Sequence, residues 1–217
     1  MSYQSMEEAK LRGEKENIPF WKSIQLEDAQ ERDVKIEDSW EKMKYMWQSM
    51  LDALDAYEPD KVSRSGLVGT EGGLMDNYRE NEEPLCGDFV SKVMSNALKM
   101  GCNNACMKRI VAAPTAGSCG VIPAALIPYL ECYPDTTEED MVHALYLAGG
   151  FWKYHCRTSI HFWSRGRMSG RNWGSLCYGS SSIDIFARWN ARGLRKRLCN
   201  CIEELAGIGL RPSCRIG

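Results

Sequence analysis

Apolar residues recur at three- and four-residue steps between residues 38 and 57, which is the spacing of one face of an α-helix. Asp38 has the side chain of a helix N-cap, and Pro59 follows where the apolar pattern stops. We therefore predict a helix over 38–57 whose apolar face packs in the core or, as the alternative, lines a groove for a partner. The residues of this face are Trp40, Met43, Trp47, Met50, Leu51 and Leu54.

Two further stretches show the same helical period. The first runs from Asp88, a second N-cap candidate, to Gly101, a residue type that often ends helices. The second covers 136–148, where Thr136 and Glu139 have the spacing of a capping box. Strand-like alternation is scarce, so the chain is predicted to be mainly α-helical. The predicted apolar positions are Phe89, Val93, Met94, Ala97 and Leu98 in the first helix, and Met141, Val142 and Leu145 in the second.

A loop of small residues, APTAGSCGVIPA at 113–124, overlaps the start of the apolar run 121–129. Its glycines allow the backbone to approach a bound group closely and to present N–H donors. A helix that begins here would direct its N-terminus at that group and would favour an anion such as a carboxylate. The alternative is a tight Gly/Pro turn that caps a buried helix.

The cysteines and the lone central histidine carry weaker indications. Cys102 and Cys106 are either part of a metal site or a pair of buried thiols on one helix face, and one pair is too few ligands for zinc or an iron–sulfur cluster. Cys119 lies where a helix start would stabilise a thiolate, but no histidine is near it in sequence. His143 is predicted to be packed or at the surface. The segment 65–69 lacks the Lys-Ser/Thr of a phosphate-binding P-loop.

The charge of the chain changes sign at Gly150. Residues 1–150 carry 15 Lys+Arg and 26 Asp+Glu, whereas residues 151–217 carry 12 Lys+Arg, 3 Asp+Glu and four of the seven Trp. We predict a helical domain over 1–150 and a poorly packed segment over 151–217 that forms no native domain. Three explanations of this segment are open: a nucleic-acid-binding or other interaction module, disorder, and a shifted reading frame.

No stretch of 18 apolar residues occurs, and the N-terminus is acidic and polar, so we expect neither a membrane span nor a secretion signal. The ten cysteines are then expected to be reduced thiols of a cytoplasmic protein.

The loop at 113–124 resembles the PT-x-G-x-x-G-V-I-P segment in the alpha chain of iron–sulfur-dependent L-serine dehydratases. Three other stretches are similar to that family in the same order. They are residues 5–30, the run 65–69 with the glycines at 72 and 73, and the helix predicted from Asp88. The resemblance covers residues 1–150 and implies a helical alpha-chain domain of the serine dehydratase type.

The resemblance also implies a reaction, a cofactor and a partner. The reaction is the deamination of L-serine to pyruvate and ammonia, and the alpha chain pairs with a beta chain. A [4Fe–4S] cluster held by three cysteines leaves one iron open as a Lewis acid for the serine hydroxyl. The matching candidates for binding the substrate carboxylate are Pro114, Thr115, Gly117, Ser118 and Gly120. No catalytic base and no in-frame cluster ligand can be assigned, and neither nucleic acid nor a membrane is an expected partner.

Codons that are permissible for residues 151–217 include choices that give family-like strings when the frame is shifted by one base. In the shifted frame, each new codon consists of the last two bases of one codon and the first base of the next. From Trp189, permissible codons then give GTPEAC followed by ANAFAIALKNLLGLVCDPVAGL. From Trp152 the same offset gives GNIIAERASISGAEGGCQAEIG. These strings resemble the family motifs SISGAE-x-GCQ and GLVCDPVAG, in order. We therefore interpret 151–217 as family coding DNA in a shifted frame. Two cluster cysteines then fall across Met168–Ser169 and Leu210–Arg211, and the chain as translated is expected to be inactive.

Overall fold

The structure is a computed structural model and describes residues 11–13 and 15–163 of the 217. Six helices follow the helical residues at 11–13 and 15–16. They are α1 (Phe20–Arg32), α2 (Ile36–Asp55), α3 (Glu71–Asn81), α4 (Asp88–Ala105), α5 (Val121–Cys132) and α6 (Glu138–Trp163). A single 3₁₀ turn, Ala116–Ser118, precedes α5, and no strand occurs in the part of the chain described. The predicted mainly α-helical class is confirmed.

The core lies between α2, α5 and α6. Helix α5 is buried along nearly its whole length, from Ile122 to Tyr129, and α6 contributes Met141, Val142 and Tyr146. The apolar face predicted for α2 packs here: Trp47 and Met50 are buried, and the other four residues of that face pack around them. The Met-rich face is therefore core, as the first of the two alternatives required.

Three helix ends differ from the predictions. Helix α2 begins at Ile36 and ends at Asp55, so Asp38 lies in its first turn and is not the N-cap. The N-cap of α4 is Gly87, so the predicted cap Asp88 is the first helical residue. The helix does not end at the predicted Gly101 but continues to Ala105. The capping box of α6 is formed one residue later than predicted, by Thr137. Its hydroxyl accepts from the Asp140 N–H, and the Asp140 carboxylate accepts in return.

Helix α6 does not stop at the predicted residue 148 but continues through Gly149 and Gly150. A Cβ at Gly150 would lie 2.6 Å from Ile24 Cδ1, so this glycine allows α1 to pack closely on α6. On the same side, Lys153 pairs with the buried Glu27 at 3.0 Å and with Glu31 at 2.6 Å. The poorly packed segment predicted for 151–217 lies, from residue 164 onward, outside the described residues.

An aromatic cluster joins α1, α2 and α6. His143 stacks on Trp21 with ring centroids 3.9 Å apart and lies 5.4 Å from the Trp40 ring. Burial lowers the pKa of His143, although Asp140 opposes this shift. His143 is thus packed, which is one of its two predicted placements. None of the described helices is long and apolar enough to cross a membrane.

Helix α4 has the opposite orientation to the one its apolar pattern predicted. Phe89 packs against the core, but Met94 and Leu98 are exposed. The buried side carries Met100 and Cys102 together with polar residues, two of which have hydrogen-bond partners on neighbouring helices. Ser95 donates a hydrogen bond to Asp76 of α3, and Asn103 donates one to the Ala53 carbonyl of α2.

Candidate functional site

The loop at residues 113–120, called here the small-residue loop, is held in shape by its own two hydroxyls. Thr115 and Ser118 form a reciprocal capping box around the 3₁₀ turn. The buried Ser118 hydroxyl accepts from the Thr115 N–H at 3.2 Å and lies 2.9 Å from the Thr115 hydroxyl. It also lies 3.1 Å from the Thr115 carbonyl, to which it can donate. These bonds occupy the Ser118 side chain and hold the turn in shape.

Helix α4 contacts the base of this loop and holds it in place. Asn104 donates a hydrogen bond to the Ala116 carbonyl at 3.0 Å. A Cβ at Gly120 would lie 3.1 Å from both the Ala97 carbonyl oxygen and Met100 Cβ, so glycine allows the close approach. Gly117, in contrast, is exposed, and a Cβ there would meet no atom within 4 Å. The loop therefore has a packed base and an open tip.

The loop leads directly into α5, as the sequence predicted. Gly120 is the N-cap residue, and the helix begins at Val121. Residues 111–130 contain no charged side chain, so within this stretch the helix dipole and the backbone N–H groups are the source of positive potential. All five predicted binding residues thus lie in one loop at a helix N-terminus. This arrangement is compatible with both alternatives from the sequence, a binding loop and a turn that caps a buried helix.

Cys119 is a buried thiol in this loop, 3.9 Å from the Met100 carbonyl. Burial raises the pKa of Cys119, whereas the helix start was expected to stabilise the thiolate. That expectation was wrong because loss of hydration outweighs the favourable N–H groups.

The glycine segment, residues 63–73, is the second family-like loop, and Tyr57 fixes its geometry. The Tyr57 hydroxyl donates to the Gly69 carbonyl at 2.9 Å and accepts from the Gly73 N–H at 2.9 Å. Glu71 accepts from the Gly69 N–H at 2.7 Å and from the Cys102 thiol at 3.2 Å. The Gly69 N–H bond holds the pKa of Glu71 low, and burial raises the pKa of Cys102. The segment is therefore an ordered loop bonded to α4.

The glycine segment packs on α4 where α3 begins. A Cβ at Gly72 would lie 2.6 Å from Lys99 Cγ and 3.0 Å from the Lys99 backbone nitrogen. Lys99 in turn pairs with Asp76 of α3. The thiol of Cys106 lies 3.7 Å from the Lys61 carbonyl, just before the segment. Cys102 is a buried thiol of α4, but Cys106 is only partly buried and follows the last helical residue, so the predicted pair of buried thiols on one helix face is correct for Cys102 alone.

The two family-like loops lie on opposite flanks of the same half of α4. Residues of a helix are about 100° apart around its axis. Ala97, Met100 and Asn104, which touch the small-residue loop, therefore share one flank, whereas Lys99 and Cys102 lie on the other. Between the flanks, on the side away from α2, α4 presents what we call its outer face. This face consists of Val90, Met94, Ala97, Leu98, Gly101 and Ala105.

Sequence reasoning missed three residues that organise these loops. Tyr57, Glu71 and Asn104 each hydrogen-bond a backbone group of a loop, and that group belongs to a residue 2 to 16 positions away in sequence. None of them belongs to a recognisable motif. Asn104 lies in the CNNAC stretch, where only the two cysteines were candidates for a role. Its amide gave no signal, because such side chains are common on helix surfaces.

The described residues do not fit an iron–sulfur cluster. Within 11–13 and 15–163, no three His, Cys, Asp or Glu side chains come together as a metal site. Five cysteines whose side chains are described are free thiols: Cys86, Cys102, Cys106, Cys119 and Cys132. A cluster needs three thiolates at fixed geometry, and the described side chains form no such set.

The profile of the family described as "Serine dehydratase alpha chain" matches residues 15–160. The chain belongs to this family. The match agrees with the resemblance drawn from the two loops, and it extends past Gly150 to residue 160. The division of the chain at Gly150 stays a prediction.

Two curated relatives are similar over part of this region. The "Probable L-serine dehydratase, alpha chain" of Bacillus subtilis (strain 168) is 32% identical over 115 residues, which is 53% of this chain and 38% of the relative. The "L-serine dehydratase, alpha chain" of Peptoniphilus asaccharolyticus is 34% identical over 92 residues, which is 39% of this chain and 31% of the relative. The aligned part thus spans about a third of each relative. No solved structure matches the chain significantly.

Proposed function

We propose that the gene of this chain encodes an alpha chain of L-serine dehydratase, which deaminates L-serine to pyruvate and ammonia in the cytoplasm together with a beta chain. The proposal is supported by the family match over residues 15–160 and by the names of the two relatives. The observation in this chain that carries it is the small-residue loop, an open glycine tip at the N-terminus of the buried helix α5.

In this proposal the loop binds the carboxylate of L-serine. Pro114, Thr115, Gly117, Ser118 and Gly120 contribute in two ways. Thr115 and Ser118 fix the turn, because their hydroxyls bond within it. Gly120 sets the loop close to α4, and Gly117 leaves room for the carboxylate to approach backbone N–H groups. No charged side chain of this loop is needed, since the helix N-terminus supplies the positive potential.

The cofactor of the proposal is a [4Fe–4S] cluster, which supplies a Lewis acid for loss of the serine hydroxyl. Because the described residues do not provide its ligands, we assign no step of the reaction to them beyond substrate binding. We propose that the ligands are encoded by the codons of residues 151–217 in another frame. The support is the pair of family strings that a one-base offset recovers there.

Sequencing the locus tests the frame. The codons of residues 151–217 are expected to spell SISGAE-x-GCQ and GLVCDPVAG at a one-base offset. Codon choices that do not give these strings would refute the shifted frame. The chain as translated, supplied with a beta chain and with iron and sulfide under anaerobic conditions, is expected to form no pyruvate from L-serine. Pyruvate formation by it would contradict the proposal.

The binding role of the loop is tested in the frame-restored alpha chain with its beta chain. Gly117→Ala places a methyl group at the open tip without meeting protein atoms within 4 Å. We expect the KM for L-serine to rise roughly tenfold, about the loss of one hydrogen bond to a charged group, with a smaller change in kcat. Gly149→Ala is the matched control, because its Cβ also meets no atom within 4 Å. An unchanged KM in Gly117→Ala would exclude the loop from carboxylate binding.

A further inference from the structure

Asn104 fixes the direction in which one peptide group of the small-residue loop points. Its side-chain amide lies on α4 and donates to the Ala116 carbonyl at 3.0 Å. The same carbonyl accepts from the Cys119 N–H at 3.4 Å, so both of its acceptor positions are used inside the protein. The Ala116 carbonyl is therefore held toward α4 by a side chain that lies outside the loop, 12 positions earlier in the chain.

The direction of this carbonyl determines the direction of the next N–H. Among the described residues the only cis peptide bond is Ala113–Pro114, so the bond between Ala116 and Gly117 is trans. In a planar trans peptide the carbonyl oxygen and the following N–H point in opposite directions. Because the Ala116 oxygen points toward α4, the Gly117 N–H points away from α4, at the open tip of the loop.

The Gly117 N–H is the donor that the turn leaves available for a ligand. The N–H groups of Thr115, Ser118 and Cys119 are bonded inside the turn. Gly117 is exposed, and no acceptor for its N–H occurs among the described residues. Such a group in the first turn of a helix is bonded by a cap, by water or by a ligand. A carboxylate at the tip can therefore accept from it directly.

We propose that Asn104 is a positioning residue for L-serine, because it holds the Ala116 carbonyl and so keeps the Gly117 N–H directed at the substrate carboxylate. The inference rests on the proposed function, in which the small-residue loop binds that carboxylate. Without Asn104 only the longer bond from Cys119 would hold this carbonyl. Ala116 and Gly117 are both exposed, so their peptide group would be free to reorient. Binding would then have to order this group, which weakens the affinity.

Asn103, the preceding residue, provides a matched control. Its amide also donates to a backbone carbonyl, that of Ala53, but this bond lies on the side of α4 that packs on α2. Asn103 is 1% exposed, so truncation leaves a buried acceptor unpaired and costs stability. Asn104 is only partly buried, and its truncation should cost less. The pair of variants separates a general loss of stability from a loss of orientation in the loop.

Amide NMR of the full chain as translated measures both orientation and binding. Glycine is labelled isotopically, the Gly117 resonance is assigned by its loss in Gly117→Ala, and L-serine is titrated in. Ethanolamine, which is L-serine without its carboxylate, is the control ligand. We expect a saturable shift of the Gly117 resonance with L-serine and none with ethanolamine.

The variants are compared in the same titration. In Asn104→Ala we expect the Kd for L-serine to rise roughly tenfold, about the loss of one hydrogen bond to a charged group. The order parameter of the Gly117 N–H should fall from about 0.85 to below about 0.6. Asn104→Asp keeps the size of the side chain but removes the donor, so at neutral pH it should behave in the same way. Asn103→Ala should lower the urea midpoint more than Asn104→Ala and leave both Gly117 values unchanged.

The outcomes distinguish the role of Asn104 from the binding role of the loop. If L-serine does not shift the Gly117 resonance of the parent chain, carboxylate binding by the loop is refuted and the role of Asn104 fails with it. If the resonance shifts but the Kd is the same in Asn104→Ala, the role of Asn104 alone is overturned. A Kd that rises equally in Asn103→Ala would show a general effect of lost stability, and this also overturns the inference.

Discussion

Gly72 lies at a close contact between α3 and α4, and Gly72→Ala tests the packing of the glycine segment. The added Cβ would lie 2.6 Å from Lys99 Cγ, 3.0 Å from its backbone nitrogen and 3.1 Å from its Cα. The side chain of Lys99 can rotate away, although its ion pair with Asp76 resists this. The two backbone atoms can yield only if α4 itself moves.

Two effects of opposite sign set the magnitude. Alanine is more favourable than glycine inside a helix by up to about 1 kcal/mol, and less in the first turn, where Gly72 lies. Overpacking of a tight contact costs about 1–3 kcal/mol. We therefore expect Gly72→Ala to lower the free energy of unfolding by about 1–2 kcal/mol.

Gly101→Ala is the matched control on α4, because its Cβ would meet no atom within 4 Å. Only the propensity effect applies there, so we expect the free energy of unfolding to rise by about 0.5–1 kcal/mol. Urea unfolding of the full chain, followed by the helical circular-dichroism signal, measures both values. The reasoning fails if Gly72→Ala is as stable as the parent, or if the two variants shift in the same direction.

Three further predictions concern single contacts. Ser118→Ala removes the side chain that orders the small-residue loop, and we expect it to lower the free energy of unfolding by about 1–2 kcal/mol in the same urea assay, with the exposed Ser65→Ala near neutral. Lys153→Ala removes the ammonium group that lies 3.0 Å from the buried Glu27 carboxylate and should lower the free energy of unfolding by about 2–3 kcal/mol, whereas an unchanged midpoint would show that α6 does not hold this register in solution. Burial opposes ionisation of Asp76, but Lys99 and Ser95 outweigh this effect and hold the pKa of Asp76 below the usual 3.8. The stabilisation that ionised Asp76 provides is therefore complete above that value and is lost as the pH falls through the lower folded pKa. Asp76→Asn should flatten the acid limb of a curve of stability against pH, and an unaltered limb would contradict this.

The helices with one buried apolar face could be predicted from sequence because their pattern is local. Trp47 and Met50 recur at helical spacing and are buried where that spacing places them. The start of α5 at Val121 follows from the glycines and the apolar run beside it. Such features depend on residues within one or two turns of each other, so the neighbouring sequence carries the information.

The orientation of α4 could not be predicted in this way. Its apolar stripe is as regular as that of α2, but Met94 and Leu98 face outward. Hydrogen bonds from Ser95 and Asn103 to other helices determine the buried side, and they depend on partners 19 and 50 positions away. The continuation of α6 through Gly150 has a similar cause, because the need for glycine arises from Ile24 on another helix.

The two family-like loops depend on one helix for their relative position. Each loop is bonded to its own flank of α4, the glycine segment through Glu71 and Cys102 and the small-residue loop through Asn104 and Ala116. A displacement of α4 would therefore change the positions of both loops together.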